Sequence, residues 1–92
     1  HDRIYAALIE LYILEKDLSS SRKYLLSLVK NSSMYVSWLS RFIRNDELVN
    51  EKVFMQTLIK LVKERGGNSL FLEEKLRSYA YKMKLDYFDI LN

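Results

Sequence analysis

The stretch IYAALIELYILEKDLSSSRKYLLSLV, residues 4–29, decides how the chain folds. Tyr5, Leu8, Ile9 and Tyr12 recur at intervals of three and four, and so do Leu25, Leu28 and Val29. That spacing predicts two amphipathic helices. Between them, Asp17 and Ser19-Ser20-Ser21 carry side-chain oxygens that can accept from the unpaired first amides of a helix. A connection this short forces the two helices to lie antiparallel.

The same apolar skeleton returns about 30 residues later. Tyr5, Leu8, Ile9 and Tyr12 fall on Tyr35, Trp38, Leu39 and Phe42; Asp17-Leu18 falls on Glu47-Leu48; Tyr24, Leu25, Leu28 and Val29 fall on Phe54, Met55, Leu58 and Ile59. Shifted by about 67 residues, Leu72, Leu76, Tyr79 and Leu85 repeat Tyr5, Ile9, Tyr12 and Leu18. The reading is one domain over residues 1–92, with units at about 2–31 and 32–66 and a partial unit at about 69–92.

Six helices are expected. The first runs from about Arg3 to Lys16 and is apolar nearly all round, which implies burial on more than one side. The second ends near Lys30, and Asn31-Ser32-Ser33 supplies the next turn and cap. The third carries Tyr35, Trp38, Leu39, Phe42 and Ile43. The fourth spans about Glu47 to Arg65, with Val49, Val53, Phe54, Leu58, Leu61 and Val62 inward, and stops at Gly66-Gly67. After Asn68-Ser69, the fifth covers about Leu70 to Lys84 and a short sixth covers Asp86 to Leu91. The expected fold is all-α: antiparallel hairpins stacked as a short right-handed α-solenoid, five long helices plus one short C-terminal helix.

Composition narrows the function. The chain has 92 residues, 49% apolar and 29% charged, a globular balance. Without cysteine it can form neither a disulfide framework nor a thiolate metal site. Its longest mostly apolar run, Ile4 to Leu14, is interrupted by Glu10 and is too short to span a bilayer. No secretory leader is visible and residue 1 is histidine, so the expectation is a fragment of a longer intracellular protein. Histidine occurs only at position 1, and Gly66-Gly67 lacks the Lys-Ser/Thr of a phosphate loop. The carboxylates of Asp46-Glu47, Glu73-Glu74 and Asp86 sit at expected helix starts, where negative charge complements the helix dipole. The reading is therefore no enzyme, no cofactor and no metal.

The 4–29 stretch resembles one unit of the tetratricopeptide superfamily, which includes the pentatricopeptide and half-tetratricopeptide repeats. Tyr5, Leu8, Ile9, Tyr12, Asp17, Leu18 and the small Ser21 occupy the family's places, and Tyr35, Trp38, Leu39, Phe42, Glu47 and Leu48 follow in the second unit. Two positions depart from the pattern. Lys16 stands where a turn glycine is frequent, and Glu51 stands where a small residue is expected.

The resemblance implies a binding surface, and two partner classes compete for it. In the first reading, a partner peptide or helix lies on the first helices of the units, touching Glu10, Ser37, Arg41 and Arg44. Leu11, Ile13 and Leu14 at one end, and Phe71, Tyr87 and Phe88 at the other, would then meet a neighbouring repeat or a second copy. In the alternative reading, the net charge of +3 marks an RNA-binding module using Lys60, Lys63, Lys75, Arg77, Tyr81 and Lys82. Against it, many of the basic residues fall late in their helices, where the dipole already favours them. Base-reading pentatricopeptide units also carry a small polar residue where Ala6 and Val36 stand here. A membrane-surface role for the fourth helix is set aside, because the repeat needs its apolar face for packing.

The expected core is Tyr5, Leu8, Ile9, Tyr12, Leu25, Leu28, Tyr35, Trp38, Leu39, Phe42, Phe54 and Leu58. Trp38→Ala is expected to cost about 3–5 kcal/mol, because a cavity opens where two hairpins meet.

Overall fold

The computed structural model describes residues 1–66 and 69–90. Helix α1 spans Asp2–Leu14, α2 Leu18–Asn31, α3 Tyr35–Phe42, α4 Asp46–Val49, α5 Lys52–Arg65 and α6 Leu70–Lys82; a 3-10 turn, Tyr87–Asp89, follows. The all-helical expectation holds. Its details change in the second unit and at the C-terminal end.

The first hairpin is built as the sequence implies. Helix α1 ends with Lys16 in the left-handed region, φ 63°. The Lys16 amide donates to Ile13 O at 3.1 Å and the Asp17 amide to Tyr12 O at 2.9 Å, the paired bonds of a Schellman cap. Asp17 then caps α2, accepting from the Ser20 hydroxyl at 2.7 Å and the Ser20 amide at 3.1 Å. Those two bonds, the hydroxyl's first, hold its carboxyl below the usual carboxylate range. Fully buried Ser21 donates to Ile9 O at 2.8 Å, so its small side chain lets the two helices meet closely. Beside this contact, the Tyr24 ring stacks on Tyr12 at 5.7 Å and meets Tyr5 edge-on at 5.8 Å.

The second unit departs from the first at Glu51. A continuous helix over 47–65 is expected, but the chain forms the single turn α4 and breaks before α5. Glu51 is the counterpart of Ser21, and a carboxylate cannot be buried unpaired in a tight helix contact. Instead it caps α5, accepting from the Phe54 amide, while Asn45 caps α4 through the Leu48 amide at 3.0 Å. Arg22 reaches across from α2 and donates to Leu48 O at 2.7 Å and Glu47 O at 3.0 Å, satisfying carbonyls that the break leaves open. The break also turns Val53 outward; it is 68% exposed, although the periodicity places it inward. At the other end of α5, Arg65 donates to Lys30 O and Ser32 O, both at 2.7 Å, and its guanidinium lies 4.7 Å from the Tyr35 ring centroid.

Ser69 caps α6, accepting from the Leu72 amide at 3.2 Å. Helix α6 stops at Lys82 rather than Lys84, because Lys84 takes a left-handed φ of 59° and the Leu85 amide closes on Ala80 O at 2.8 Å. This is the cap of α1 again, one residue later than the apolar register implies. The expected sixth helix is only the 3-10 turn, and its last expected residue, Leu91, lies outside the described residues. So do Gly67 and Asn68; the stop of α5 rests on Gly66, φ 69°.

Helix α2 packs against α1, α3, α4 and α5, while α6 packs against α3 and α5. The Ser32 hydroxyl donates to Asp2 at 2.5 Å and Arg41 pairs with Glu10, so α1 and α3 run in the same direction. Ile9, Leu25, Leu28, Tyr35, Leu39, Phe42, Phe54 and Leu58 are buried as expected. Tyr5, Leu8, Tyr12 and Trp38 are only half-buried; Tyr5 and Tyr12 lie against Tyr24 of α2, and Tyr5 and Trp38 pack on the margin of the core. Ala6, Val29, Ile43, Leu48, Val49, Met55, Ile59, Val62, Leu72, Leu76, Tyr79 and Ala80 complete the core. The radius of gyration, 12.3 Å, is what a globular chain of this length has. The Tyr79 hydroxyl donates to the Asp46 carboxylate and lies 3.3 Å from Ile43 O; burial, and then the Asp46 bond, push its pKa up to about 12.

Two predictions follow the caps and the buried phenol. Lys16→Gly relieves a left-handed side chain that packs against nothing essential, and should raise stability by about 1 kcal/mol, or about 4–8 °C in Tm. An unchanged or lower melting temperature would show that Lys16 is not strained. Because the folded phenol holds its proton more tightly than the unfolded one, its contribution is complete below about pH 10 and is lost as pH rises through about 12. Tyr79→Phe should cost about 1 kcal/mol at neutral pH and flatten this alkaline loss in denaturant titrations at pH 8 and pH 11.

Candidate partner-binding surface

A helix that buries one stripe leaves its other stripe outward. In α1 that outward stripe is Ile4, Ala7, Leu11 and Leu14, all exposed. Their counterparts one unit later are Met34, Ser37, Arg41 and Arg44, also exposed. In α6 the matching positions are Phe71, half-buried, and Glu74, Ser78 and Tyr81, all exposed. Positions related by the repeat thus have related environments, and their chemistry grades from apolar on α1 to arginine-rich on α3. Ile4 is 61% exposed, Leu14 79% and Tyr81 85%, so none of the three is completing the core.

The residues assigned to partner binding come together on α1 and α3. Glu10 and Arg41 form an ion pair across the two helices. Ser37 and Arg41 line an open groove with Asp2, Arg3, Met34 and Trp38. Arg44 lies just beyond α3, its guanidinium 4.8 Å from the Phe71 ring centroid, which carries the surface toward α6. Trp38 forms the groove wall with one edge and packs on the core with the other. Arg3, Ile4, Ala7 and Met34 belong to the same surface and escape a reading based on core positions alone. Their signal is the repeat itself, applied to residues that do not match.

The proposed end contacts are placed unevenly. Leu11 and Leu14 are exposed, whereas Ile13 is half-buried and packs against the core. Phe71 lies beneath Arg44 and Lys75. Tyr87 is half-buried, with the Lys63 ammonium 4.3 Å above its ring, and burial pushes its phenol pKa up. Phe88 meets Tyr87 edge-on at 5.4 Å and carries Arg77 at 5.1 Å. This apolar end is folded back onto α6.

The residues of the RNA reading are largely engaged within the chain. Lys63 also donates to Tyr87 O, Lys75 lies 5.8 Å from the Phe71 ring, Arg77 pairs with Glu73 at 3.9 Å, and Lys82 lies 5.5 Å from the Tyr79 ring. Lys60 and Tyr81 are exposed.

No group of three or more acidic or histidine side chains is placed to hold a metal ion among the described residues, and no described helix is long and apolar enough to cross a membrane. Asp46, Glu47 and Glu73 occupy first turns, and Asp86 caps the 3-10 turn through the Phe88 amide at 3.1 Å. No known protein family, curated protein or solved structure matches the chain.

Because Trp38 is half-buried and its neighbour Leu39 fully so, the cost of truncation should invert the order of side-chain size. Trp38→Ala should cost about 1–2 kcal/mol and Leu39→Ala about 3–5 kcal/mol. Equal or reversed values in urea unfolding would place Trp38 in the core and close the groove.

Proposed function

We propose that the chain is a non-catalytic protein-interaction module: a short tetratricopeptide-like stack whose first helices, α1, α3 and α6, offer one surface to a partner segment. The observation that carries this reading is the shared exposure of the repeat-related positions Ile4/Met34, Leu11/Arg41/Ser78 and Leu14/Arg44/Tyr81, with Phe71, the counterpart of Ile4 on α6, half-buried beneath Arg44. A core needs only the inward stripes to match. An outward stripe that mixes large apolar residues with arginines has a use when something covers it. Parallel α1 and α3, with α2 lying against α5, favour a stacked arrangement of the two units.

The carboxylates support the non-catalytic part. Asp17, Asp46, Glu51 and Asp86 each accept from a backbone amide at a helix start or from a neighbouring hydroxyl. Asp86 also lines an open cleft with Glu74 and Tyr81, and its side chain bonds to Asp89 and raises that carboxyl above its ordinary pKa, but no histidine or nucleophilic thiol joins them there.

Arg41→Ala with Arg44→Ala tests the surface. The Glu10–Arg41 pair is exposed, so the double variant should melt within a few degrees of the parent. Immobilised protein should retain a defined partner protein from nuclease-treated lysate, and the double variant should retain at least about tenfold less. Retention that vanishes with nuclease would reassign the module to RNA; retention indifferent to the variant would move the site elsewhere.

A further inference from the structure

We infer that the occupant of the α1–α3 side of this surface is an amphipathic helix whose apolar stripe is flanked by carboxylates. This rests on the interaction-module reading and adds the chemistry of the partner.

The first argument is spacing. Ile4, Ala7, Leu11 and Leu14 follow one another at three, four and three residues, which is the seam of a two-stranded helical pairing. That pattern repeats along a helix axis and is matched by another helix with the same spacing. An extended peptide, whose side chains alternate with a period of two, does not match it. The seam covers about 15 Å of α1, or about three turns of a partner. Ala7 in its middle leaves room for a larger partner side chain beside the exposed Ile4 and Leu11.

The second argument is charge. Arg3 stands on α1 at the start of the seam, and Arg41 and Arg44, both exposed, stand at the end of the parallel α3, Arg44 over the Phe71 ring. The acids on this side are already occupied: Asp2 accepts from Ser32 and Glu10 is paired with Arg41. Among the described residues the ion pairs are Arg41–Glu10 and Arg77–Glu73, so Arg3 and Arg44 face no carboxylate of their own chain. The Glu10–Arg41 contact also shows that a carboxylate carried on a helix beside α3 is within reach of Arg41. A partner with acids along the edges of its stripe would answer Arg3 directly, and would draw Arg44 from the Phe71 ring and share Arg41 with Glu10.

The other occupants fit less well. A second copy would bring its own Arg3, Arg41 and Arg44 to the same seam, cation against cation. A nucleic acid would need open rings beside the arginines, whereas the ring at this seam, Trp38, is half-buried against the core.

The test uses a fluorescently labelled synthetic helix with leucine at each seam position and glutamate at the flanking positions, and a twin carrying lysine in place of glutamate. Anisotropy should show the glutamate peptide binding at least about tenfold more tightly than the lysine peptide. Leu11→Glu should abolish binding, and Arg3→Glu with Arg44→Glu should reverse the preference, with melting curves confirming that both variants fold. Equal affinity for the two peptides, or binding indifferent to Leu11→Glu, would overturn the inference. So would a dimer in sedimentation that Leu11→Glu dissolves, since the seam would then belong to a second copy. A partner protein retained through Arg41 and Arg44 without any binding of the glutamate peptide would overturn this inference and leave the interaction module standing; a labelled single-stranded RNA bound through the same residues would overturn both.

Discussion

The close meeting of α1 and α2 at Ser21 governs the rest of the molecule. A buried side chain small enough to leave the helices in contact, and able to satisfy itself on Ile9 O, fixes which stripe of α1 turns inward. Once Ala6 and Ile9 are buried there, the 3.6-residue period leaves Ile4, Ala7, Leu11 and Leu14 no place in the core. The outward surface is therefore the complement of a packing decision made on the opposite side of the helix. A larger residue at position 21 would push the helices apart and rotate the same stripe away from its present face.

The second unit shows what happens when that condition fails. Glu51 cannot enter a Ser21-type contact, and the chain answers by breaking the helix and using the carboxylate as a cap. The break exposes carbonyls, and Arg22 from the first unit closes them. The segments over 2–31 and 32–66 thus pack on each other through the residues at which they differ. The Arg22 reach from unit one to unit two, and the Arg65 reach from unit two back to the end of α2, make the pair mutually dependent.

Helix content, hairpin boundaries and most of the buried positions were legible in the sequence because capping and periodicity are local properties. Asp17, Asn45 and Ser69 do at helix starts what their side chains allow. The half-burial of Tyr5, Leu8, Tyr12 and Trp38 was not legible, because spacing alone cannot say how wide a buried stripe becomes. Nor was the break at Asn50, although Glu51 was visible as the residue out of place. Lys16 carried a similar warning. It stands where a glycine serves best, and it takes the glycine's conformation. Of the candidate surface, Glu10, Ser37, Arg41 and Arg44 are legible as non-core positions of the first helices, while Ile4 and Met34 escape that selection although the same register of about 30 residues pairs them.

The distribution of cations matters more here than their sum. A net charge of +3 invites a nucleic-acid reading only if the charges are available together. Lys63, Lys75, Arg77 and Lys82 instead lie over rings of their own chain, and Arg22 and Arg65 are committed to helix-end carbonyls. Each exposed cation–ring contact is worth about 0.5–1 kcal/mol, enough to bias a long side chain toward its ring without locking it there. The cations of the second half are therefore drawn to α6 and its neighbours and do not project as one stripe. Arg41 and Arg44 also lie over rings, Phe42 at 5.6 Å and Phe71 at 4.8 Å, but with Arg3 they stand on or at the end of the two helices that carry the exposed apolar stripe and the groove beside it. Charge set against a hydrophobic stripe discriminates among partners by geometry as well as sign, which diffuse basicity cannot do.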